Sequence, residues 1–168
     1  MKVTQSTGLM LGAMRKMLIL LALATAATTS TASADKFGIH VGTSNGLQYV
    51  QDMSRSTALR YSLNLDLVNL FSGGSLALGG DVAYLNDFGG TTAGFAPYYG
   101  GGLGAYVSLG KSTGVSVYPH GIVGLNFALT DPFSVFVEGS LGARIGVGSA
   151  ATFGLGYGAR LGVNYRFR

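Results

Sequence analysis

The chain has 168 residues, of which 48% are hydrophobic and only 11% charged, with 28 Gly and no Cys. The lack of Cys excludes a disulfide framework and a lipid-modified N-terminal Cys, and no apolar run reaches the roughly 20 residues a helix needs to cross a bilayer. The formal net charge of +4 does not point to nucleic acid, because the basic residues form no stripe or cluster that would neutralise phosphates.

Met1 to Ala34 reads as an export signal, with Arg15 and Lys16 as a basic start, Met17 to Ala27 as an apolar stretch, and Ala32-Ser33-Ala34 as a small-residue cleavage site. Met14 is an alternative initiator, since the signal is complete from that residue onward. Cleavage before Asp35 leaves residues 35–168 as one domain, and the loss of Lys2, Arg15 and Lys16 leaves 8 basic against 7 acidic groups.

From there the chain alternates apolar and polar residues with the period of a half-buried strand. Ser44-Asn45-Gly46 is a turn signal that splits the first stretch into strands over Phe37–Thr43 and Leu47–Gln51. Residues 57–69 set Leu59, Tyr61, Leu63, Leu65 and Leu67 against Arg60, Ser62, Asn64 and Asp66, the cleanest alternation in the chain. Residues 75–85 set Leu76, Leu78, Val82 and Tyr84 against Gly79 and Asp81. The longest non-alternating segment, Asn86 to Ala96, follows, with Thr91 as an alternative start for the next strand. Residues 98–109 carry Tyr99, Leu103, Val107 and Leu109 on one face, and Gly110 to Gly114 turns back. Residues 115–129 carry Val115, Val117, Val123, Leu125, Phe127 and Leu129, with Ser116, His120 and Asn126 opposite. Thr130-Asp131-Pro132 is a tight turn, with Pro where it breaks no ladder. Residues 133–146 set Phe133, Val135, Val137, Leu141 and Ile145 against Ser134, Glu138, Ser140 and Arg144, and Gly148 to Ala151 is a loop. The last strand, residues 152–167, has Phe153, Leu155, Tyr157, Ala159, Leu161, Val163, Tyr165 and Phe167 on one face.

The count is eight if the Asn45-Gly46 turn holds and seven if it does not. In lipid, backbone groups must be bonded internally, which allows helices or closed barrels. Only an all-β, eight-stranded, antiparallel, up-and-down transmembrane β-barrel fits this alternation, its even count being the one expected of a bacterial barrel. A soluble β-sandwich is the non-membrane alternative. The unbroken apolar face on nearly every strand argues against it, because such a face aggregates in water. The aromatics Tyr61, Tyr84, Tyr99, Tyr157, Tyr165 and Phe167 suit girdle positions at the two interfaces.

The end of the chain, with Arg160, Gly162, Tyr165 and Phe167 spaced as polar, Gly and aromatic positions, resembles the C-terminal assembly signal of bacterial outer-membrane barrels, although Arg168 follows the aromatic. More broadly, residues 35–168 resemble the small eight-stranded barrels of the OmpA, OmpX and OmpW type. Pro97 to Gly104, Gly121 to Asp131 and Val135 to Glu138 repeat that group's order of a Gly-rich strand, a strand ending in Leu-Thr-Asp, and a strand with an inward Glu. The resemblance implies an outer-membrane location, with outer-membrane lipid and the barrel-assembly machinery as partners. It implies no shared activity. With the C-terminus in the periplasm, Ser44 to Gly46, Leu70 to Gly74, Gly110 to Gly114 and Gly148 to Ala151 form short outer loops.

The polar face collects Arg60, Asp66, Asp81, Glu138, Arg144, Arg160 and Arg166, together with Asn64, His120, Asn126 and Asn164. An eight-stranded lumen is just wide enough for side chains to fill, and charges buried there must pair. Glu138 and Arg160 face inward on adjacent strands and are the expected pair. Three motifs are set aside. Gly146 to Ala151 matches G-x-G-x-x-A but joins two strands instead of opening a helix. His40 and His120 fall short of the three or four ligands of a metal site. Ser116 and His120 share a face, as acyl hydrolysis would need, but it points into the barrel, away from lipid. No enzyme, metal or cofactor is expected. The reading is a monomeric barrel with a structural or interaction role and a lumen largely closed by polar groups. A narrow pore for ions or small hydrophobic molecules is the second reading, and a lipid-modifying enzyme the third.

Overall fold

The computed structural model describes residues 35–66, 76–89, 94–109, 114–147 and 151–167, the side chain of Asp66 excepted. The segment read as an export signal, Arg168 and most of the segments read as outer loops lie outside the described residues. Eight strands run in order: β1 (Lys36–Gly42), β2 (Asn45–Asp52), β3 (Thr57–Asp66), β4 (Leu76–Asp87), β5 (Phe95–Leu109), β6 (Gly114–Thr130), β7 (Phe133–Val147) and β8 (Thr152–Arg166). Each pairs antiparallel with its chain neighbour, and β8 returns to β1, so the sheet closes as a barrel. Closure matters energetically because it pairs the peptide groups of β1 with β8 along the whole of β1.

The seam follows the alternation. Phe37 lies opposite Tyr165, Ile39 opposite Val163 and Val41 opposite Leu161, all facing out, while His40 lies opposite Gly162 on the inner face. Beyond Arg166, the Phe167 amide donates to the Asp35 carbonyl at 2.8 Å, extending the seam by one bond. Phe133, Tyr165 and Phe167 then meet edge to face, with ring centres 5.3 and 5.2 Å apart, forming an aromatic belt at the end of the barrel where Asp35 and Phe167 lie.

Two sequence expectations shift. The first turn is not Ser44-Asn45-Gly46; Asn45 and Gly46 already belong to β2. The Asn45 side-chain oxygen instead accepts the Gly42 amide at 3.3 Å, within the five residues Val41–Asn45 that separate the last β1–β2 pair, His40 and Gly46. Gly42 has φ +152° and its added Cβ would collide with the Ala159 carbonyl, so only Gly suits that corner. The segment Asn86 to Ala96 is narrowed from both ends by strand: β4 continues to Asp87 and β5 begins at Phe95, where the Phe95 and Phe127 rings meet edge to face at 4.8 Å. The alternative start at Thr91 lies outside the described residues.

Strand length is uneven around the barrel. β5 to β8 have 15 to 17 residues each, whereas β1 has 7 and β2 has 8. β8 is paired along its length with β7, but β1 reaches only from Arg166 to Arg160. One step further, Thr43 donates to the Ala159 carbonyl at 2.9 Å and its hydroxyl accepts the Ala159 amide at 3.2 Å. Above that point, among the described residues, no strand covers the β1-side edge of Thr152–Gly158.

Inside, glycines make room for inward rings. A Cβ on Gly124 would run into the Tyr98 ring, one on Gly156 into Tyr118, and one on Gly162 into Phe136. The interior therefore interlocks large side chains with bare backbone across neighbouring strands.

Candidate functional site: the closed lumen

Strand parity turns Glu138 of β7 into the barrel, directly opposite Arg160 of β8. Arg160 Nε donates to Glu138 Oε1 at 2.7 Å. A second arginine arrives from across the lumen: Arg60 of β3 donates Nη1 to Oε2 at 2.5 Å and Nη2 to Oε1 at 3.2 Å. The third donor is the Tyr98 hydroxyl of β5, 2.9 Å from Oε2, which reaches Glu138 over the bare backbone of Gly124. Arg60 and Glu138 are each 1% exposed in their side chains. A carboxylate held by two guanidiniums and a hydroxyl satisfies the condition under which charges tolerate burial, namely pairing with hydrogen bonds on every lone pair.

Two arginines on one carboxylate leave an excess positive charge, and Asp81 offsets it. Its carboxylate lies 4.0 Å from Arg60 Nη2 and 3.3 Å from His120 Nε2. His120 Nδ1 in turn faces the Tyr118 carbonyl at 2.9 Å, and the two rings stack with centres 4.4 Å apart. The two ring nitrogens thus face the Tyr118 carbonyl and the Asp81 carboxylate, and neither is turned to a serine hydroxyl.

A second polar layer ties the strands together: Gln48 donates to Asn164 at 2.7 Å, His40 bonds Asn64 at 3.0 Å, and Asn64 donates to the Tyr106 hydroxyl at 3.3 Å. Phe136, Ile122 and Ala83 are buried beside these groups. The result is a plug across the middle of the lumen with a vestibule on either side. The vestibule at the β1–β2 turn, about 270 Å³, is lined by Thr43, Ser44, Tyr106, Tyr118, Ser140 and Arg144 among others. The vestibule at the termini, about 290 Å³, includes Lys36, Asp52, Arg55, Asp87 and Arg166, with Lys36 paired to Asp52 at 2.8 Å.

The seven charged residues read from the sequence therefore separate. Arg60, Asp81, Glu138 and Arg160 meet in the plug. Arg144 does not join them; its guanidinium sits 5.8 Å from the centres of the Tyr106 and Tyr118 rings. Arg166 lies at the mouth of the termini-side vestibule. Asp66 closes β3 opposite Ala77, and its side chain lies outside the described residues. Of the assembly-signal residues, Arg160, Gly162 and Tyr165 sit on the β1–β8 seam and Phe167 just past it. Adjacent-strand reasoning reached Glu138 and Arg160 but missed Arg60 as a Glu138 partner, because that contact spans the lumen. It also missed Tyr98, although the parity that places Tyr99 outward marks Tyr98 as inward. Among the described residues, no group of three or more His, Cys, Asp or Glu is placed to hold a metal ion.

The fold is similar to the N-terminal β-barrel domain of OprF from Pseudomonas aeruginosa, with TM-score 0.58 and 17% identity over 81% of this chain and 100% of that one. It is also similar to the de novo designed TMB2.3, with TM-score 0.53 and 11% identity over 84% of this chain and 99% of that one. Neisserial surface protein A aligns at TM-score 0.47 with 18% identity over 80% of this chain and 95% of its own. No family model matches the chain, and no curated protein matches it in sequence. At these identities the likeness is one of fold: a small barrel of the outer-membrane type.

Proposed function

We propose that the chain is an outer-membrane barrel that spans the bilayer with its lumen closed by the Glu138 cluster, serving the envelope as a structural or interaction element. The observation that carries this reading is the sorting of charge. The described charged side chains on the strands, from Lys36 and Asp52 through Glu138 to Arg166, lie in the plug or line one of the vestibules. The outer face, in contrast, shows Ile39, Leu63, Leu78, Leu103, Val123 and Leu141, each more than half exposed. Soluble proteins rarely expose contiguous apolar patches beyond a few hundred Å², so the solvent that suits this face is lipid. The aromatic belt beside the termini matches an interfacial girdle. With the termini in the periplasm, the β1–β2 turn and its vestibule face outward.

Insertion is tested by refolding residues 35–168 into lipid vesicles and comparing gel mobility before and after boiling. A heat-dependent shift with protease protection supports the reading, and a soluble chain without either contradicts it. A conducting pore is the second reading. The plug disfavours it, since Arg60, Glu138, Tyr98 and Phe136 fill the mid-section and are all buried.

A further inference from the structure

The short β1–β2 hairpin has a consequence for who can enter the outer vestibule. Seven residues of β1, rising about 3.3 Å each on a strand tilted by about 40°, climb roughly 18 Å, short of the ~25 Å apolar band of such barrels. β8 continues for Thr152–Gly158 beyond the last contact with this hairpin. Among the described residues the wall is therefore low on one side at the depth of the outer leaflet, and the vestibule is bounded there by Thr43, Ser44 and the stretch Leu155–Arg160. Lipid chains cannot satisfy the peptide groups of that bare edge, whereas a polar head group can. On its outer face, the same edge carries Phe153, Leu155 and Tyr157, 80%, 76% and 76% exposed, the largest exposures among the described large apolar side chains.

Charge inside the vestibule fits an acidic visitor. Arg60 and Arg160 are balanced by Glu138 and Asp81, and Asp81, also on the lining, is turned toward Arg60 and His120. Arg144 has no carboxylate within ion-pair distance among the described residues. It rests over Tyr106 and Tyr118, an arrangement that holds the guanidinium in place while leaving N–H groups free for a phosphate. Hydroxyls of Ser44 and Ser140 line the same space. At about 270 Å³ the cavity is below the roughly 300–1,000 Å³ of pockets that enclose a whole drug-sized ligand, so it suits a head group whose chains remain outside.

We infer that the outer vestibule binds the phosphate head group of an acidic membrane lipid, which enters sideways over the β1–β2 turn and lays its chains along Leu155 and Tyr157. This rests on the membrane reading above. The test is native mass spectrometry of the detergent-refolded barrel, its heat-dependent mobility shift checked first, offered phosphatidylglycerol and phosphatidylcholine in equal amounts. The barrel is expected to retain one phosphatidylglycerol in preference. Arg144→Gln should lower that retention by about tenfold, the loss of a charge-assisted contact, and Arg144→Lys should restore part of it. Tyr157→Asn, on the outward rim of the vestibule, should lower retention too, and glycerol phosphate at matched concentration should not compete. Equal retention of the two lipids, or retention indifferent to Arg144→Gln, overturns the inference. Competition by glycerol phosphate overturns the sideways route. A barrel that shows the mobility shift but keeps no acidic lipid overturns the inference alone, whereas absence of the shift removes the membrane reading with it.

Discussion

At the residue scale, Glu138 sets the state of the lumen because three donors converge on it from three other strands. Removing its charge leaves Arg60, 1% exposed, facing Arg160 without a counter-ion between them. Breaking a buried pair by neutralising one partner typically costs about 3–5 kcal/mol. Glu138→Gln should therefore lower the unfolding free energy of the detergent-refolded barrel, read as a lower urea midpoint, by that order while leaving membrane insertion intact. An unchanged midpoint contradicts the buried network, and outright failure to insert contradicts the inward placement of Glu138. Tyr98→Phe removes one hydrogen bond to a charged acceptor, with an expected loss of about 1.5–3 kcal/mol. In combination with Glu138→Gln its effect should shrink, because both act on one interaction; full additivity would separate them. Sequence parity was sufficient to turn Glu138, Arg60 and Arg160 inward, and register between neighbours was sufficient to join Glu138 to Arg160. It could not join Arg60 to Glu138, since which strands face each other across a closed sheet depends on its stagger. Nor could it set Arg144 apart, because the rings of Tyr106 and Tyr118 that hold it stand on β5 and β6.

At the scale of the elements, closure rests on β8. It pairs with β1 over seven positions from Lys36–Arg166 to Gly42–Arg160, and the Phe167 amide adds the last bond. Deleting Phe167 and Arg168 together should remove that bond and one member of the aromatic belt, and should sharply lower the yield of heat-shifted barrel. Deleting Arg168 alone should have little effect, and equal effects would remove the role given to the closing strand. Strand number and most boundaries follow from period-2 patterning. The misplaced first turn has a specific cause: Asn-Gly is the strongest hairpin signal when it occupies the turn centre, but here Asn45 caps the Gly42 amide from the end of the turn. β5 began earlier than its alternation indicated because Pro97 and Ala96 interrupt the apolar pattern while still pairing with Leu125 and Asn126.

At the scale of the molecule, the barrel inverts the arrangement of a soluble protein: its buried groups include Arg60, Asn64, Asp81 and Glu138, and its surface is aliphatic and aromatic. That inversion was visible in the sequence as alternation without long apolar runs. The division of the lumen into two vestibules was not, because it depends on which inward side chains are long enough to meet at mid-height. The low wall at β1 and β2 was likewise hidden, since strand lengths read singly do not reveal how far each climbs beside its neighbour.

The most direct test of the closed-lumen account is single-channel current across a planar lipid bilayer containing the refolded barrel, with Glu138→Gln measured alongside. The wild-type barrel should insert and pass no sustained current, and the variant should show discrete open steps as Arg60 and Arg160 lose their shared partner. Sustained steps from the wild type, unchanged in the variant, would contradict the plug as the element that closes the lumen.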